Sequence, residues 1–234
     1  MKVKARRLYL AALGLVSVFA LGTGSVSAAG LLFETATFPY HATGLAVGLS
    51  KLEGINGKKI TSSALHVLAR VLSKTLFDLH FLFLGVRGEA GALSPCGDTA
   101  STTSSEHVLI ELLGHFGLAD PGNRHAVLLE VHEGFVFFCH NPLNGLNEEL
   151  KWRGSLIATI TKPAAGVTSE ELGVIFKQTS GKQEFTEFLL PTLMTNQILE
   201  ISLGGGPFEQ AGMETPEVVL KPLVKGTTFK LVLD

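Results

Sequence analysis

The chain has 234 residues, with 19 basic residues against 21 acidic ones and a formal net charge of −2. That balance gives no electrostatic footprint for nucleic acid or an anionic membrane. The length suits one larger β domain or two small ones, and one is preferred.

Lys2, Lys4, Arg6 and Arg7 open the sequence without an acid, and residues 8–21 are almost wholly apolar. This positive-then-apolar order is that of a secretory signal peptide. Val26, Ser27 and Ala28 place small side chains where a signal peptidase reads them, so cleavage is expected after Ala28, with Ala29 the near alternative. The competing reading is an uncleaved anchor, but an apolar run of about 14 residues falls short of the ~20 a span needs. No cysteine in the first thirty residues offers a thiol for acylation, and no later apolar stretch is long enough to cross a bilayer. Residues 229–234 alternate apolar and polar instead of forming an anchoring tail. The expected product is a secreted domain of residues 29–234, soluble outside the cytoplasm. Its net charge is −6, since the signal removes four basic residues and no acid.

Two patterns compete over residues 63–84. Leu65, Leu68, Leu72, Leu76 and Leu79 approximate helical spacing, whereas Leu65, Val67, Ala69 and Val71 alternate, as do Leu79, Phe81 and Phe83 against Asp78, His80 and Leu82. Aromatic and branched content favours two strands, with a short helix over 63–74 as the alternative. Residues 88–105, rich in Gly, Ala, Ser and Thr, read as a long loop around Cys96 and as the place for any sub-boundary.

Beyond residue 105 the alternation is clearer. Val108, Ile110 and Leu112 oppose His107 and Glu111; Asp120-Pro121-Gly122-Asn123 supplies turn chemistry; Val127, Leu129 and Val131 then share a face, which predicts a hairpin. Glu133-Gly134 breaks the run, and 135–139 reads as a strand buried on both faces. After the loop at 141–145, Trp152, Leu156, Ala158 and Ile160 lie opposite Lys151, Arg153, Ser155, Thr159 and Thr161. Further strands are expected at 172–178, 185–190, 198–203 and 227–233. Together these define an all-β fold, an antiparallel sandwich or barrel. Cys96 and Cys139, an isolated pair in an oxidising compartment, are expected to form a disulfide; two buried thiols are the alternative.

The chemistry-bearing residues do not assemble into a motif. His125, Glu130, His132, Glu133 and His140 cluster, but the odd separation of His125 and His132 sends them to opposite faces of a regular strand, so solvent-facing histidines are preferred over a metal site. His132-Glu133 lacks the second histidine of a helical zinc-protease motif. No serine sits in Gly-x-Ser-x-Gly within the exported part. Gly181-Lys182 lacks the upstream glycine and following hydroxyl of a phosphate loop and reads as a hairpin turn, and Gly204-Gly205-Gly206-Pro207 reads as another turn. Glu130, Glu149, Glu187 and Glu200 offer carboxylates for glycosidase chemistry without a spacing that pairs them. No catalytic, metal-ligating or cofactor-binding residue is assigned.

Pro95-Cys96-Gly97-Asp98, Phe138-Cys139, Gly154-Ser155-Leu156-Ile157, Phe176-Lys177-Gln178, Gly181-Lys182-Gln183-Glu184-Phe185 and Gly204-Gly205-Gly206-Pro207-Phe208-Glu209 occur in an order that resembles uncharacterised secreted proteins of actinobacteria. The likeness covers residues 95–234 and implies a signal peptide followed by a β-rich exported domain. It brings no activity or catalytic residue with it. The functional expectation is a secreted or surface-associated, non-enzymatic binding or structural module with a cell-surface or glycan ligand. Its contact surfaces would be the loops 88–105, 141–147 and 204–212. A secreted glycan-directed hydrolase and a metal-binding module using His125, His132 or His140 are the alternatives.

Overall fold

A computed structural model describes residues 30–35, 37–88, 95–101, 105–190 and 193–233, and the expected signal, residues 1–28, lies outside them. β1 (Leu31–Phe33) precedes three long strands, β2 (Tyr40–Gly54), β3 (Lys59–Val71) and β4 (Leu76–Leu84). The alternation in 63–84 is therefore that of two strands, and the 63–74 helix does not form. Two short strands follow, β5 (Arg87–Gly88), which ends at the first residue of the expected loop 88–105, and β6 (Cys96–Gly97), which stands inside it. β7 (His107–Asp120), β8 (Arg124–Asn141) and β9 (Leu146–Lys162) follow as successive hairpins.

The remaining strands are shorter. They are β10 (Thr168–Ser169), β11 (Leu172–Ile175), β12 (Gln178–Thr179), β13 (Lys182–Gln183), β14 (Glu187–Leu190) and β15 (Leu193–Asn196), then β16 (Leu199–Leu203), β17 (Glu209–Glu214), β18 (Val218–Pro222) and β19 (Phe229–Leu233).

Of the two architectures expected, the chain takes the barrel. β2, β3, β4, β7, β8 and β9 pair in that order, all antiparallel. The wall then returns to β2 by two routes. Toward one end β9 pairs with β16, β16 with β17 and β17 with β2; toward the other, β9 pairs with β11, β11 with β18 and β18 with β2. Each circuit has eight staves, and closure gives every long strand a neighbour on both sides. Strands from both sides of 88–105 belong to the same ring.

Period-two patterning explains the inside. Leu65, Val67, Ala69 and Val71 of β3, Phe77, Leu79, Phe81 and Phe83 of β4, and Val108, Ile110 and Leu112 of β7 are buried, and the residues between them are exposed or half-buried. Between Ala42, Val67, Phe81, Leu129, Val174 and Phe176 only an apolar cavity of about 30 Å³ remains. A second cavity of about 30 Å³ lies between Leu52, Phe83, Phe137 and Trp152, and voids this small leave the interior a packed core.

Glu133-Gly134 does not end a strand. Val131 faces Gly154 and Phe135 faces Trp152, so residues 132–134 of β8 oppose residue 153 alone, forming a bulge inside one 18-residue strand. A β-carbon on Gly154 would stand 2.0 Å from the carbonyl oxygen of Ile198, and its φ of 91° suits glycine.

Where the closing wall divides, the backbone of β9 at residues 155–157 lies between its two sets of partners. The buried Gln183 amide spans that interval. Its Nε2 donates to the Ser155 carbonyl at 2.9 Å and its Oε1 accepts from the Ile157 N–H at 2.9 Å, standing in for a strand. Gln183 arrives on the excursion of residues 176–197, which also lays Phe185 and Phe188 over Ala119, Ala126, Leu128 and Ile157 outside the barrel. This second layer is why Ser155 and Thr159, read as a polar face, are buried. A further tie seats the β12–β13 hairpin: Gln178 Nε2 donates to the buried Glu53 carboxylate at 2.9 Å, and Lys51 and Lys59 lie 3.2 and 3.7 Å from it.

Candidate functional site: the loop end of the barrel

The two ends of the barrel are finished differently. At one, β1 and β10 flank β19 as a small antiparallel cap. Phe33 of the cap packs against Tyr40, Phe116 and Phe229 with ring centroids 5.2, 5.6 and 6.0 Å away. The other end carries the loops.

Loop order there starts from the disulfide. Cys96 and Cys139 are bonded, directly opposite one another in the β6–β8 pairing, and both are fully buried. The bridge ties residues 95–101 to the wall, helped by the His140 N–H donating to the Pro95 carbonyl at 2.9 Å and by Asp98 Oδ1 accepting from the Leu109 N–H at 2.7 Å. Asn147 Nδ2 donates to the Ala100 carbonyl, joining this loop to the start of β9. The Gly204 N–H donates to the Glu149 carbonyl at 2.7 Å, which attaches the turn of residues 204–206 to the same hairpin. Three segments nominated from sequence thus meet at one end of the molecule. Their extents change: residues 141–147 are a tight hairpin whose ends belong to β8 and β9, and 209–212 belong to strand β17. Residues 89–94 and 102–104 of the first loop lie outside the described residues.

The β8–β9 turn is shaped by its two asparagines. Asn141 Oδ1 accepts from the Leu143 N–H at 3.0 Å and Asn144 Oδ1 from the Leu146 N–H at 2.9 Å, side chains imitating backbone turns. The result projects Leu143, 80% exposed, and Leu146, 63% exposed, from a ring of amides. That ring includes His140 bonded to Asn147 at 3.1 Å and Asn141 Nδ2 donating to Glu148 at 2.6 Å. An apolar pair on a fixed turn with polar neighbours suits recognition of a mixed surface.

The other sequence candidates are dispersed. Glu149 binds Lys151 at 2.8 Å and Glu200 binds Arg153 at 2.7 Å, while Glu130 and Glu187 are exposed on separate strands. His125 lines a surface cleft with Asn123, Arg124 and Lys177, whereas His140 is at the loop end; the side chains of His132 and Glu133 lie outside the described ones. Among the described residues no group of three His, Cys, Asp or Glu is arranged to hold a metal. Gly181 lies in the β12–β13 turn and Gly204–Gly206 in the β16–β17 turn, where Ser202 Oγ donates to the Gly206 carbonyl at 2.6 Å.

Two perturbed acids lie on the walls. Burial pushes the Glu53 carboxyl upward, but the Gln178 hydrogen bond and the Lys51 and Lys59 charges together hold it below the ordinary range. Glu171 is held low by hydrogen bonds from Lys162 and Lys221 and by their charges. Both are fastened structural ion clusters.

What sequence reasoning missed is apolar. Leu143 and Leu146 were covered by a loop assignment, and the signal that could have found them is two leucines inside an Asn-Pro-Leu-Asn-Gly-Leu turn, where burial is impossible. No protein-family model matches this chain, and no curated protein and no solved structure matches it either.

Proposed function

We propose that this chain is an exported, non-enzymatic binding domain, similar in sequence to uncharacterised secreted β-rich actinobacterial proteins, that presents its loop end to an extracellular partner such as a cell-surface glycan or protein. The observation that carries this reading is the convergence of residues 95–101, 141–147 and 204–206 on one end of a closed barrel, where the Cys96–Cys139 bond fastens the first of them to the wall. A rigid wall with a fixed, partly apolar rim is how scaffolds display recognition loops. The disulfide suits an oxidising compartment.

The test pairs a glycan and peptide binding array with a turnover screen on glycan, peptide and ester substrates. Binding that Leu143→Asp and Leu146→Asp abolish without lowering the melting temperature is expected. Turnover that a single point change removes would replace this reading with a hydrolase.

A further inference from the structure

The two interior cavities are alike in volume, about 30 Å³ each, but not in lining. Every side chain around the first, which reaches Phe77, Phe116 and Phe229 near the cap, is apolar. The second lies nearer the loop end and is lined by Ser50, Ser62 and Trp152 beside Phe83 and Phe137. Those three polar residues are 3, 3 and 4% exposed. Four buried side-chain atoms lack a hydrogen-bond partner among the described residues, and two of them, Ser50 Oγ and Trp152 Nε1, belong to residues lining this one cavity. A buried donor or acceptor left in that condition forfeits its hydration and gains nothing in return.

The fold holds both groups in place. Trp152 of β9 stands edge-on among Phe83, Phe135 and Phe137, with ring centroids 6.4, 6.4 and 5.9 Å away. Ser50 and Ser62 are direct partners in the β2–β3 pairing, just past the irregularity between Val47 and Ser50, so their hydroxyls share one buried face.

The donor inventory selects the occupant. The indole N–H can only donate; Ser62 Oγ has committed its proton to the Ala64 carbonyl at 3.0 Å and can only accept; Ser50 Oγ can do either. A molecule that accepts from Trp152 and donates toward Ser62 satisfies the set. An anion cannot donate, and the ammonium of Lys51 that would balance it lies 3.2 Å from Glu53 and 3.1 Å from Glu214. A cation would meet the positive end of the indole N–H. Water both accepts and donates, and needs roughly 10–15 Å³ with two to four polar partners.

We propose that the loop-end cavity is a binding site for a structural water, which accepts from Trp152 Nε1 and bonds the Ser50 and Ser62 hydroxyls, joining β9 to β2 and β3 through the barrel interior. The first cavity offers water no partner and stays dry. The inference is independent of what the loop end binds.

The test uses the protein expressed from its complete sequence, whose single tryptophan gives one indole N–H signal. Cross-relaxation between that proton and water should appear with opposite signs in laboratory-frame and rotating-frame spectra, as for a long-lived bound water and not for proton exchange. Methyl groups of Val127 and Leu129, which line the apolar cavity, should show no water peak. Oxygen-17 relaxation dispersion, which detects waters and not hydroxyls, should lose the contribution of a long-lived water in Ser50→Val, with circular dichroism unchanged. An indole without a water peak, peaks of equal sign, a water peak in the apolar cavity, or a folded Ser50→Val with undiminished dispersion would each overturn the proposal. Should Ser50→Val fail to fold, the wild-type indole and methyl spectra decide.

Discussion

The capped end and the loop end close the same eight-stave ring by different means. At the cap, Phe33, Tyr40, Phe77, Phe116 and Phe229 meet ring on ring, and this burial, with the β1–β19 pairing and the Phe33 N–H donating to the Lys74 carbonyl at 2.7 Å, holds β1 against the barrel. At the loop end, residues 95–101 offer little apolar area and are held by one covalent bond, a two-residue strand pairing and a few hydrogen bonds to backbone groups. Segments with large side chains order themselves by burial, whereas segments of small residues need a tether to offset their conformational entropy.

The sharpest way to break this contrast is to remove an aromatic ring from the cap. Phe116→Ala deletes a ring 4.6 Å from Phe77 and 5.6 Å from Phe33, and should cost about 3–5 kcal/mol, lowering the melting temperature by about 10 °C. Because Phe116 belongs to the main core cluster, the whole barrel should lose stability together in a calorimetric scan. A loss confined to β1 and β19 would show the cap to be a separate unit.

Gln183→Ala probes the seam between the two ends. It leaves a buried carbonyl at Ser155 and a buried N–H at Ile157 without the Gln183 amide, and about 2–4 kcal/mol should be lost in denaturant unfolding. A loss under 0.5 kcal/mol, the size of an ordinary surface change, would mean that the amide is incidental.

Acid gives the smallest effect and the most local one. The folded-state pKa of Glu53 lies below its unfolded value, so its contribution to stability is present above the unfolded value, about 4.3, and is lost as pH falls through the folded one. Below about pH 4.3 the β12–β13 hairpin should loosen before the barrel melts. Glu53→Gln should flatten the dependence of melting temperature on pH in that window, and an unchanged slope would remove Glu53 from the account.

Much of the barrel was legible in the sequence because its long strands alternate. Val108, Ile110 and Leu112, and Leu79, Phe81 and Phe83, announce their inner faces directly. β2 was not legible, for a physical reason: through its middle the core-facing positions hold Ala42, Gly44 and Ala46 while Leu45, Val47 and Leu49 face out, so the period-two signal is inverted there. β17 and β18 were missed because their five or six residues owe their extended form to the strands on either side, β2 and β16 for β17 and β2 and β11 for β18. The disulfide was legible from the count of cysteines. That three loops share one end was not, since the Asn147 to Ala100 and Gly204 to Glu149 bonds depend on barrel closure.

Hydrogen exchange on wild-type protein and on a Cys96→Ala, Cys139→Ala variant tests the contrast between the ends most directly. The account predicts that losing the bridge, which spans 43 residues and is worth about 3–4 kcal/mol, raises exchange in residues 95–101 and in the 141–147 and 204–206 turns, while β1, β19 and β3 keep their protection under native conditions. Equal loss of protection at the cap and at the loops, or no change at residues 95–101, would contradict it.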